Sequence, residues 1–150
     1  MRQNVGNDNW TEVVAVVPLN ASVFSGAVGS SKIFVVPSNE VWKINYLYAA
    51  LTSTATIGNR WLALSVADAA GNILHSLSAG IVQAASLVRR YNFMQGAARE
   101  TVVVSDEVTV PLPRDIYLGP GYTMTLFDRT AVDVAADTTT VAFQYQKTNI

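Results

Sequence analysis

The 150-residue chain has no cysteine and a single histidine. Disulfides are excluded, and a metal site would have to be built from that histidine and carboxylates. Charge is scarce as well. Asp, Glu, Lys and Arg make up 14% of the residues and the formal net charge is −1, where a typical soluble domain carries about 25% charged residues. So even a balance argues against nucleic acid as partner, because phosphate affinity comes from accumulated Lys and Arg. No apolar run is long enough to span a bilayer, which takes about 20 residues. The start, Met1-Arg2-Gln3-Asn4-Val5-Gly6-Asn7, lacks the apolar stretch of a signal peptide.

What is present is apolar and strand-forming. Hydrophobic residues reach 50%. With so few charges, part of the surface is expected to be covered by a partner or by copies of the chain. Alternation with period two dominates. Trp42, Ile44, Tyr46 and Tyr48 are expected to share one buried face. Arg60, Leu62, Leu64 and Val66 form a second such set, Tyr122, Met124 and Leu126 a third, and Thr139, Val141, Phe143 and Tyr145 a fourth. Asp68-Ala69-Ala70-Gly71-Asn72 has hairpin-turn chemistry. Pro37-Ser38-Asn39, Pro111-Leu112-Pro113 and Gly119-Pro120-Gly121 mark further breaks.

These signals predict an all-β, antiparallel β-sandwich of about eight or nine strands. The strand spans are near 11–18, 22–28, 31–36, 40–52, 59–68, 72–78, 85–94, 101–110, and 122–128 taken together with 138–146. Residues 80–90 also carry Ile81, Ala84, Ala85 and Val88 at helical spacing, which leaves a short helix open there. Residues 1–10 are polar and Asn-rich and read as an arm that is flexible or ordered by a partner. Arg2, Gln3, Asn4, Asn7, Asp8, Asn9 and Trp10 are its candidate contact residues. Residues 11–150 form the folded domain.

Chemistry is harder to find. His75 lies in a probable strand and has no nucleophile elbow or orienting carboxylate near it in sequence. Asp128, Asp133 and Asp137 cluster in one loop, but their spacing does not match a calcium-binding EF-hand. Turn capping is the expected job, with a cation site as the alternative. Asp106 and Glu107 are adjacent, so a strand would turn them to opposite faces; they read as gatekeeping charges in a Val-rich run. Trp42, Tyr46, Tyr48, Trp61 and Tyr91 would make a sugar-stacking platform only if exposed. No catalytic residue, cofactor or metal is expected.

Several pieces occur in a telling order. They are Val36-Pro37-Ser38-Asn39-Glu40-Val41-Trp42-Lys43-Ile44, then Thr56-Ile57-Gly58-Asn59-Arg60-Trp61-Leu62-Ala63-Leu64. The Asp68…Gly71-Asn72 turn, Arg90-Tyr91-Asn92-Phe93 and the ending Leu118-Gly119-Pro120-Gly121-Tyr122-Thr123…Asp128…Asp133…Asp137 follow. This set, over roughly residues 34–146, resembles small virion proteins of tailed bacteriophages, including jelly-roll-like capsid decoration (cement) proteins. The resemblance implies a non-enzymatic, structural viral protein, made in the host cytoplasm and placed on the outer capsid surface. It implies binding to the major capsid protein as a homo-oligomer, commonly a homotrimer. A neck, tail or fibre component of the virion and a carbohydrate-binding β-sandwich module are the alternatives.

Overall fold

The computed structural model describes residues 11–17, 31–133 and 135–150. The expected arm at 1–10 and the expected strand at 22–28 lie outside them. Ten strands are described, and no helix. They are β1 (Thr11–Val17), β2 (Lys32–Val35), β3 (Glu40–Thr52), β4 (Leu62–Ala67) and β5 (Ile73–Ser78), followed by β6 (Val88–Gln95), β7 (Glu107–Leu112), β8 (Ile116–Leu118), β9 (Thr123–Asp128) and β10 (Thr138–Asn149).

The strands form two sheets. One runs β1-β10-β3-β6-β7, with β8 pairing the first part of β3; the other runs β2-β9-β4-β5. Every pair is antiparallel except β6–β7, which is parallel. With β7 and β8 set aside as an excursion, the remaining strands pair first with last. β1 takes β10, β2 takes β9, β3 takes β6 and β4 takes β5. This is one long hairpin rolled up so that alternate pairs fall in opposite sheets, the order of a jelly roll.

The inner faces share one core. Leu47, Leu51, Tyr91, Phe93 and Val141 of the larger sheet meet Leu62, Leu64, Val66, Met124 and Leu126 of the smaller. Phe34 and Phe143 bridge the sheets edge to face, with centroids 4.9 Å apart. The expected faces of 59–68, 122–128 and 138–146 hold: Leu62, Leu64, Val66, Met124, Leu126, Val141 and Phe143 are buried.

The face expected for 40–52 holds only in part. Trp42 and Ile44 are buried, but so are Leu47, Ala49 and Leu51, while Tyr46 and Tyr48 turn outward. The register explains it. Tyr145 pairs with Ile44 and Gln144 with Tyr46, so Asn45 is left without a partner. A bulge of one residue shifts all later side chains to the other face.

The segment 80–90 is not helical. Residue Gln83 bridges Arg60 across the sandwich end, with both backbone bonds made, at 2.7 and 2.8 Å. Those bonds and the positive φ of Ser86 (58°) replace the helical ladder. The strand expected at 101–110 begins only at Glu107; residues 101–106 belong to the crossover that the parallel β6–β7 pairing requires. Pro111, read as a break, sits inside β7. That strand is the edge of its sheet, where a missing N–H is tolerated.

Candidate functional site

The loops sort by length at the two ends of the sandwich. The connections 36–39, 68–72 and 119–122 have four, five and four residues. The connections 53–61, 79–87 and 129–137 have nine each, and the antiparallel registers bring all three to the same end. Long loops bring many backbone groups that need partners. This end supplies them with buried polar side chains.

Arg60 is the hub and is fully buried. Its Nε donates to Asp137 Oδ2 at 2.8 Å and its Nη2 to Asp137 Oδ1 at 3.1 Å. Its Nη1 donates to the carbonyls of Thr56 and Gly58, each at 2.8 Å. Nη2 also reaches Thr54 Oγ1 at 3.2 Å. All five guanidinium N–H groups are thus satisfied, a geometry that lysine could not match. The Asp137 hydrogen bonds hold the Arg60 pKa above its ordinary value. Gly58 has φ 143°, and a Cβ there would lie 2.7 Å from Val132 Cγ1.

Asp133 stands beside this hub. Its Oδ2 accepts the hydroxyls of Thr54 at 2.5 Å and Thr56 at 2.6 Å. Those bonds keep its carboxyl below the usual carboxylate range. Asp128 Oδ1 accepts the backbone N–H of Trp61 at 2.7 Å and of Thr130 at 3.1 Å. The structure therefore brings Asp128, Asp133 and Asp137 to one end but turns each toward protein donors. Among the described residues no group of three or more acidic or histidine side chains is arranged to hold a metal. Turn capping, the first expectation for these residues, is what the geometry has.

A second knot lies deeper. Gln83 Nε2 donates to the carbonyls of Leu51 at 2.9 Å and Leu87 at 2.8 Å, and Tyr91 OH donates to Gln83 Oε1 at 3.1 Å. Ser53 Oγ donates to Ala84 O at 2.7 Å and accepts from Leu87 N at 3.1 Å. Burial pushes the Tyr91 phenol up to about 12, so it stays a donor. These knots sew loop 53–61 to loops 79–87 and 129–137. The partners are 77 residues apart in sequence for Arg60 and Asp137, and nothing local in the sequence announced the pairing.

The other sequence candidates scatter. Trp42 and Tyr91 are buried, Trp61 is half-buried under the Arg129 guanidinium at 5.0 Å, and Tyr46 and Tyr48 lie on the outer face of the larger sheet. The five aromatics do not form one platform. His75 is half-buried on β5 opposite Val66, with no side-chain hydrogen bond among the described residues. Asp106 and Glu107 are both exposed where β7 begins. The arm residues Arg2 to Trp10 lie outside the described residues.

The outside of the sewn end carries exposed apolar side chains among polar ones such as Thr56, Asn59, Arg129 and Thr130. Ile57, Val82, Leu87, Val88, Val102, Val103 and Val104 are exposed there or on the adjoining crossover. No protein-family model matches the chain, and no curated protein matches it.

Proposed function

We propose that this chain is a structural protein of a bacteriophage virion, a capsid decoration or cement protein. It binds the assembled shell, braces neighbouring major capsid subunits and acts as a homo-oligomer, with a trimer favoured. One observation carries the proposal. The loop end devotes its buried charges and amides to sewing loops together, yet exposes valine, leucine and isoleucine to the outside. A jelly-roll order and the ordered sequence pieces of 34–146 support the same reading.

The mechanism is mass action. A protein that binds only the assembled shell stabilises that shell by an amount that grows with the logarithm of its free concentration above the dissociation constant. Attachment through several copies at once raises avidity without strong single contacts. The segment 1–10 is the proposed staple to neighbouring subunits. Copy number in purified virions, measured by quantitative mass spectrometry, tests the location. Copies on the scale of the shell subunits are expected. A few copies per particle would move the protein to the neck, tail or fibre, and none would end the proposal.

A further inference from the structure

The bulge at Asn45 puts two tyrosines outside the core. Beyond it Leu47, Ala49 and Leu51 point inward, and Tyr46 and Tyr48 stand half-buried on the outer face of the larger sheet. The register fixes their neighbours. Across β10, β3, β6 and β7, one row of that face is Ala142, Tyr48, Asn92 and Thr109. The next row toward the loop end is Thr140, Ala50, Arg90 and Glu107. Neighbouring strands lie about 4.8 Å apart and successive rows on one face about 7 Å apart. The two rows are therefore one continuous surface, and all of its residues are half-buried or exposed.

Its polar groups are unspent. Tyr46 OH donates to Asn92 Oδ1 at 2.5 Å, which fixes the amide and leaves its Nδ2 hydrogens free to donate. Burial, with Tyr48 and Glu107 nearby, holds the Tyr46 phenol above its ordinary value, so it remains that donor. Among the described residues the side chains of Tyr48, Arg90, Glu107 and Thr109 make no hydrogen bond or ion pair. Ala142 and Ala50 are the small neighbours of Tyr48 across and along the strand, and they leave low ground on two sides of its ring.

The chemistry of these groups selects the ligand. Arg90 and Glu107 are the charged residues of the two rows, and they stand in register across β6–β7. Their charges cancel, so an anionic polymer gains no net field here. An apolar protein partner would need aliphatic side chains at the centre of the patch, and Tyr48 and Asn92 occupy it. A neutral saccharide matches both features. The C–H face of a sugar ring packs on an aromatic ring. Its neighbouring hydroxyls donate and accept at once, which suits an amide, a guanidinium and a carboxylate set side by side. We propose that the face formed by Tyr48, Asn92, Arg90 and Glu107 binds a neutral saccharide. The proposal goes beyond the capsid assignment and does not depend on it.

The test is titration of the isotope-labelled full chain with cellotetraose, maltotetraose and chitotriose, read from backbone amide shifts by NMR. At least one sugar should bind with a dissociation constant of about 1 mM or tighter, and the shifts should centre on 46–50, 90–92 and 107–109. Tyr48→Ala, checked for fold by circular dichroism and melting curve, should weaken that binding by about 10-fold. Glu107→Ala lies at an exposed position that leaves the core untouched, and should weaken it by about 3-fold or more. Arg129→Ala, on the other sheet, should leave it unchanged. No shift at those amides with any of the three sugars overturns the proposal. Binding that both Tyr48→Ala and Glu107→Ala leave intact overturns it too. A response to dextran sulfate alone would overturn it in favour of an anion. Tyr48-dependent self-association in light scattering, with no response to sugar, would overturn it in favour of a second copy.

Discussion

Toward one end of the sandwich, Trp42, Phe143 and Tyr145 form a cluster of tilted rings with centroids 4.5, 5.2 and 6.0 Å apart, and short turns close the sheets. Trp42 Nε1 finds Glu40 at 2.6 Å and little else polar is buried there. At the other end the loops are about twice as long, and Arg60, Gln83, Ser53 and Asp137 are buried beneath them. Both ends belong to one core. The difference is how many backbone groups each must satisfy. A short turn such as 68–72 satisfies itself, with Asp68 Oδ1 accepting from Ala70 and Asn72 at 2.9 Å each and Gly71 at φ 88°. A nine-residue loop cannot, and borrows side chains from across the fold. The turn end should thus tolerate shape-conserving apolar swaps, at under about 1.5 kcal/mol, while the loop end should not tolerate loss of a single polar partner.

The largest expected break is Arg60→Ala. It strands a buried carboxylate, Asp137, and should lower stability by about 3–5 kcal/mol in chemical denaturation. The double variant Arg60→Met with Asp137→Leu should recover much of that loss, because both buried charges go together. Gln83→Leu comes next. It keeps the volume but leaves the Tyr91 hydroxyl and the Leu51 carbonyl without their partner, for about 2–3 kcal/mol. Gly80→Ala drives a methyl into the Glu100 carbonyl and should cost about 1–3 kcal/mol, with faster hydrogen exchange over 99–106.

Smaller effects sharpen the picture. The folded pKa of Asp133 lies below its unfolded value near 3.9. Its contribution is therefore complete above that value and lost as pH falls through the folded one. Asp133→Asn should be less stable than wild type at pH 7, and the gap should close as the pH drops below about 4. The smallest effect has the opposite sign. Thr139 buries a hydroxyl that has no hydrogen-bond partner among the described residues. Thr139→Val should raise stability by about 1 kcal/mol, read from the melting temperature.

Much of the fold could be read in advance, and the physical reason is period two. The core positions of β4, β9 and β10 follow from alternation alone, and Asp68 with Gly71 announces its turn. In β3 alternation failed, because both faces of 40–52 carry large apolar side chains. Neither phase is visibly wrong, and only tertiary pairing reveals the bulge at Asn45. The loop end was legible in composition but not in connection. Asp128, Asp133 and Asp137 stood out as cappers; Asp128 does cap its own turn through Thr130 and Val132, yet the side-chain donors to Asp133 and Asp137 come from residues 54–60, far along the chain. Arg60 read as one more member of an apolar stripe, which is where its backbone lies; its guanidinium runs out from that stripe to the loops. The exposure of Val102, Val103 and Val104 was hidden by their strand propensity, which reads the same in a buried strand and on a contact surface.

The central claim is that this sewn, apolar-faced fold braces a shell and does so only once the shell exists. Cosedimentation of the purified chain with assembled shells of its proposed partner, the virion's major capsid protein, tests that claim most directly. The chain should pellet saturably with assembled shells, remain in solution with unassembled capsid subunits, and raise the temperature at which the shells come apart. Equal binding to free subunits, or no binding and no change in shell stability, would contradict it.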